Sequence, residues 1–106
     1  MKVVSTALAK RQFRGTVRYI QWEFGRRSAE KFVQKVKETR TLLARNPRLG
    51  PVEPLLDDPR WEYRSVVVAR LNKIVYRIVD DRIEIVAFWD CRREPNLQAQ
   101  QTHNGN

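Results

Sequence analysis

Cysteine and histidine each occur once among these 106 residues. A single cysteine excludes an internal disulfide and suits a reducing compartment. The two together supply too few ligands for a structural zinc site, and neither a metal nor a cofactor is expected. Nucleophilic triads fail for the same reason. His103 lies in a polar C-terminal stretch, and Cys91, between Asp90 and Arg92, reads as a small packed residue. The four glycines, Gly15, Gly25, Gly50 and Gly105, are scattered, so no glycine-rich phosphate loop is present. No apolar run approaches the roughly 18 residues of a membrane span. Residues Met1 to Ser5 lack the apolar core of a signal peptide. The chain is therefore expected to be cytoplasmic, with no membrane contact.

Acid is also in short supply. Lys and Arg number 21 against 12 Asp and Glu, for a net charge of +9. The imbalance is local: residues 1–48 carry 13 cations and three acids. Residues 49–59 reverse the sign, with Glu53, Asp57 and Asp58 and no cation. Residues 60–95 are nearly balanced, with eight cations and six acids. A basic first half suits nucleic acid, the ribosome or an acidic protein partner. Charge runs on helices are about as often simply solvated faces.

What is present reads as one small α+β domain over residues 1–95, followed by a flexible polar tail over 96–106. Lys2 to Val4 form a short strand, and Ser5 or Thr6 offers a helix N-cap. Ala9, Phe13, Val17, Ile20 and Phe24 make one stripe of a helix that Gly25 ends. Ser28 is the expected cap of a second helix, whose stripe is Ala29, Phe32, Val33, Val36, Leu42 and Leu43. It stops near Arg45, because Pro47 disfavours helix at Asn46. The two helices should pack as an antiparallel hairpin. A proline-rich surface loop spans 46–60. Three strands follow over 61–69, 72–79 and 83–89, joined by short turns of which Asp80-Asp81 is one. The architecture is β-α-α-β-β-β: a short strand and a helical hairpin on a small antiparallel sheet. Ile74, Tyr76 and Ile78 should face the helices, leaving Lys73 and Arg77 on an open face. Ile83, Ile85, Ala87 and Trp89 share one parity of the last strand.

The remaining chemistry is that of cations. Arg64, Lys73, Arg77, Arg92 and Arg93 thread the strands and their ends. On a rigid sheet such groups grip phosphates and stabilise charge that develops in phosphoryl transfer. A ribonuclease built on them would need no metal. The 2′-hydroxyl of the RNA would attack the adjacent phosphate while the protein neutralised the pentavalent oxygens. The alternative is that they pair with Glu62, Glu84, Asp90 and Glu94 of the same chain. Tyr63, Tyr76, Phe88 and Trp89 could stack on bases, but strand aromatics are more often core. Trp22 falls off the stripe of the first helix and marks a contact surface.

Several pieces, in this order and spacing, resemble the RelE/ParE superfamily of type II toxin–antitoxin toxins. They are Ala29-x-x-Phe32, Leu43-x-x-Asn46-Pro47-x-x-Gly50, Tyr63-Arg64, Lys73-Ile74-Val75-Tyr76-Arg77-Ile78, Ile83-Glu84-Ile85-Val86 and Arg92-Arg93-Glu94-Pro95. The resemblance covers residues 3 to about 95. It implies a cytoplasmic, growth-inhibiting toxin of the plasmid-stabilising kind, wrapped by an acidic cognate antitoxin. One branch of the superfamily cleaves mRNA in the ribosomal A site, and Arg64, Lys73 and Arg92 stand where it keeps basic residues. The other branch poisons DNA gyrase. The long hairpin with Asn46-Pro47-x-x-Gly50 looks more like that ParE branch. Val66 and Val68 stand where further cations of the RNase branch would be, and Trp89-Asp90 replaces the leucine-histidine usual in ParE. A gyrase poison is the leading expectation, and a ribosome-dependent mRNA endoribonuclease the alternative. Arg77, Arg93, Trp89 and Trp22 are the expected contacts for target or antitoxin. A non-toxic basic module for RNA or protein is a further alternative, supported only by the charge of residues 1–48.

Overall fold

A computed structural model describes residues 1–69, 72–90 and 95–105. Along the chain run β1 (Lys2–Ser5), α1 (Ala7–Phe24), α2 (Arg26–Arg45), β2 (Tyr63–Ala69), β3 (Asn72–Val79), β4 (Arg82–Asp90) and α3 (Pro95–Gly105). The fold is α+β, with the helical hairpin lying on a four-stranded sheet of order β1-β4-β3-β2. The last three strands form the expected antiparallel meander, whereas β1 joins β4 in parallel.

Local chemistry explains where the helices begin and end. The Thr6 hydroxyl accepts a hydrogen bond from the Ala9 N–H at 3.2 Å, which makes Thr6 rather than Ser5 the cap of α1. Gly25 has φ of +95°, a region L side chains avoid, and turns the chain within one residue. Its N–H donates to the Gln21 carbonyl and its own carbonyl accepts from the Ala29 N–H. The second helix therefore starts at Arg26, ahead of the expected cap. Ser28 lies inside α2 and donates its hydroxyl to the Phe24 carbonyl instead. Asp80 takes a positive φ of 54° in the β3–β4 turn, which supplies the geometry a glycine would otherwise provide.

The main core lies between hairpin and sheet. Ala9, Phe32, Val36 and Leu43 meet Ile74, Tyr76, Ile83, Ile85 and Phe88. Phe13 completes it, with its ring 5.4 Å from Phe88 and 6.0 Å from Phe32. Each fully buried Leu or Ile contributes roughly 1.5–3 kcal/mol.

Three expectations need correction. First, β4 does not keep one parity. Val75 pairs with Ala87 but Tyr76 with Ile85, so Val86 is the extra residue of a β-bulge. The bulge reverses the alternation: Ile83 and Ile85 face the helices, whereas Ala87 and Trp89 face away. Second, that other face is not open. Leu56, Tyr63, Val75, Val86, Ala87, Trp89 and Ala99 form a second cluster there, with Trp61 packed against it. Third, the polar residues after Pro95 form helix α3 where a frayed tail was expected, and Gln98, Ala99 and Thr102 are buried.

The third difference has a clear cause. Strand β1 pairs only with residues 82–85 of β4, so the rest of that edge needs other partners. Side chains supply them. The Thr6 hydroxyl reaches the Val86 carbonyl and Gln12 Oε1 accepts from the Phe88 N–H. The Gln98 amide takes both the N–H and the C=O of Asp90, each at 2.9 Å, as a neighbouring strand would.

Candidate functional site

Arg64 and Lys73 leave the sheet on opposite faces. Arg64 is cross-strand from Tyr76, on the hairpin side, and Lys73 is cross-strand from Val67 and Trp89, on the other. The structure does not bring these two candidates together.

Arg64 acts as a clasp. Its guanidinium donates to the Gly50 carbonyl at 2.8 Å and meets the Glu62 carboxylate at 2.5 Å. The Asn46-Pro47-x-x-Gly50 turn that it holds is also fixed from below. The Gly50 N–H donates to the Tyr76 hydroxyl at 3.0 Å, and that hydroxyl donates to the Pro47 carbonyl at 2.8 Å. Gly50 must be glycine, because a Cβ there would stand 2.1 Å from the Ser65 carbonyl oxygen. Burial pushes the Tyr76 phenol above its ordinary pKa, with the Gly50 hydrogen bond and the Arg64 charge opposing.

Lys73 is held by an acid the sequence reading passed over. The Glu53 carboxylate is only 3% exposed, so Glu53 is no surface residue of the proline-rich loop. Its Oε2 accepts from Lys73 Nζ and from the Ser65 hydroxyl, each at 2.7 Å. Burial alone would raise the Glu53 pKa. The bonds from Lys73 and Ser65 and the Lys73 charge outweigh it, and the carboxyl sits below its ordinary value. The ammonium lies 5.0 Å from the Trp89 ring centroid. The signal available in the sequence was Glu53 between Pro51 and Pro54, opposite a strand that carries a lone lysine.

Arg77 is equally engaged. It binds Glu84, and its Nη1 donates to the Tyr63 hydroxyl at 3.1 Å. The guanidinium stacks 4.7 Å from the Trp61 ring centroid. Trp89 is 1% exposed, and its indole N–H donates to the Thr102 hydroxyl. Trp22, in contrast, is 88% exposed. Arg92 and Arg93 lie outside the described residues.

An accessible concavity lies elsewhere. A groove of about 900 Å³ opens between the far halves of α1 and α2 and the nearby end of the sheet. Tyr19, Ile20, Phe24, Phe32 and Phe88 give it an apolar floor, and Lys31 and Lys35 stand at its α2 side. Phe24 and Tyr19 remain 62% and 46% exposed. Among the described residues no group of His, Cys, Asp and Glu could hold a metal ion, and no helix is long and apolar enough to cross a membrane.

Fold and site together define a class: a basic α+β protein whose candidate sheet cations Arg64, Lys73 and Arg77 are tied to its own carboxylates, and which presents an apolar groove between its helices. Residues 3–95 match the ParE toxin of type II toxin–antitoxin systems, parDE, and the chain belongs to that family. A solved chain of the chromosomal ParDE TA system from P. aeruginosa superposes with a TM-score of 0.68. The two are 20% identical, over 85% of this chain and 95% of that one, a likeness of fold. No curated protein sequence matches. The protein is thus a type II toxin, and an antitoxin partner follows from its membership.

Proposed function

We propose that the protein is a growth-inhibiting toxin that acts in the cytoplasm on DNA gyrase, without chemistry of its own on RNA. One observation carries this reading. Arg64 and Lys73, which a ribonuclease would converge on one phosphate, point to opposite sheet faces, each bound to a carboxylate of its own chain. The antitoxin occupies the apolar groove between the helices. Lys31 and Lys35 beside that floor suit an amphipathic, acidic segment.

The test is induction in a bacterial host, followed in parallel by primer extension on mRNA and by a gyrase supercoiling assay with purified toxin. Loss of supercoiling with intact transcripts is the expected result. Cleavage at codon boundaries with normal supercoiling would reverse the reading in favour of mRNA cleavage by Arg64, Lys73 and Arg92. Harmless overexpression with no effect in either assay would leave a non-toxic binding module.

A further inference from the structure

The outward face of α1 carries a row of cations that the proposed function does not use. Residues 11, 14, 18 and 22 recur at three- and four-residue spacing, which places them on one side of the helix. Their occupants are Arg11, Arg14, Arg18 and Trp22, all exposed. The core stripe of α1, with Ala9, Phe13, Val17 and Ile20, lies on the opposite side. Among the described residues none of the three arginines has an ion pair. This differs from the sheet, where Arg64, Lys73 and Arg77 are each neutralised. Gly15 stands between this row and the groove, with open space where a Cβ would be.

We infer that this face binds the phosphate backbone of duplex DNA, independently of whether gyrase is the target. A rise of about 1.5 Å per residue puts Arg11, Arg14 and Arg18 about 4.5 and 6 Å apart along the axis. Long side chains at that spacing reach neighbouring phosphates, which advance about 3.4 Å per nucleotide on one strand. The shape favours a duplex over a flexible single strand. A single strand is held by a concave basic channel with several stacking aromatics. Here the surface is one straight, convex helix with one aromatic at its end. Trp22 lies one turn beyond Arg18, where it would rest against the sugar edge or a groove wall. An acidic protein is the weaker candidate for this face, because the row offers no apolar trough to bury a segment.

The experiment measures anisotropy of a fluorescein-labelled 24-base-pair duplex with the full-length toxin between 50 and 200 mM salt. A single-stranded RNA of the same sequence and the cognate antitoxin serve as parallel ligands. Duplex binding should weaken steeply with salt. Replacing Arg11, Arg14 and Arg18 by Gln should lower affinity more than ten-fold and reduce the log–log salt slope by about three, near one per lost phosphate contact. Trp22→Ala should weaken binding without changing the slope. Circular dichroism of each variant should match the parent, since these side chains are exposed. Absent duplex binding, an unchanged slope in the triple variant, or binding confined to the RNA would each overturn the inference. So would a triple variant that loses the antitoxin as strongly as it loses DNA. A result for or against gyrase inhibition leaves it standing.

Discussion

Two buried polar side chains decide how the proline-rich loop sits on the sheet. The Tyr76 hydroxyl both accepts from Gly50 and donates to Pro47, so it satisfies two backbone groups of the turn that ends the hairpin. Tyr76→Phe would leave both without partners inside the protein. The expected cost is about 1–3 kcal/mol, seen as a Tm lower by about 4–8 °C per kcal/mol for a domain of this size. An unchanged melting curve would mean that the turn is held by Arg64 alone. Glu53 makes a different prediction, because it titrates. Its folded pKa is depressed below the ordinary 4.5. The stability it contributes is therefore complete above 4.5 and drains away as pH falls through the lower folded value. Glu53→Gln cannot titrate and loses the charged hydrogen bond to Lys73, at about 1.5 kcal/mol near neutrality. The gap in Tm between parent and variant should be widest at pH 7 and narrow as the pH falls below 4.5. A constant gap across that range would show that the carboxylate charge contributes nothing to holding the loop.

Periodicity made both helices of the hairpin and the last two meander strands legible, because their apolar residues repeat at the spacing of the element they form. The first meander strand was legible from its β-branched and aromatic residues, since Val66-Val67-Val68 blurs its alternation. The β4 bulge was not readable, since Ile83, Ile85, Ala87 and Trp89 alternate regularly until Val86 is inserted against β3. Arg64 pairs with Glu62, two residues before it and one of the carboxylates weighed as its alternative partner. Its second partner, the Gly50 carbonyl, is set by the path of the loop and not by any local pattern. Helix α3 was missed for a physical reason: it docks by polar groups. Gln98 pairs with the Asp90 backbone, and Thr102 accepts from Trp89 while donating to the Gln98 carbonyl. Hydrophobic periodicity carries no trace of such anchors. Gln98→Leu should remove two hydrogen bonds of about 0.5–1.5 kcal/mol each. Amide exchange across α3 should then quicken ten-fold or more, while α1 and α2, which rest on the separate main core, keep their protection. If mass-spectrometric exchange showed the hairpin opening to the same extent, α3 would be part of the global folding unit and not a local one.

At the scale of the whole molecule, charge and apolar surface are divided among three regions. The sheet pairs its described candidate cations internally. The outward face of α1 leaves three arginines unpaired among the described residues. The groove between the helices combines exposed aromatics with Lys31 and Lys35. This division makes separable phenotypes possible, because both groove lysines are exposed and neither takes part in the ion pairs of the sheet. Lys31→Glu with Lys35→Glu turns two attractive charges into repulsive ones against the proposed acidic antitoxin segment. Affinity for the antitoxin should fall at least ten-fold, about 1.4 kcal/mol, mostly through slower association at low salt. Inhibition of supercoiling should be unchanged. In cells the variant should therefore arrest growth even when the antitoxin is co-expressed, where the parent is neutralised. Titration calorimetry with the purified pair measures the first effect, and colony counts under dual induction measure the second. An antitoxin that binds the variant as tightly as the parent would place its seat away from the groove. Loss of toxicity together with loss of binding would instead make the groove a surface shared by antitoxin and target. Neutralisation would then operate by direct competition for the same aromatic floor.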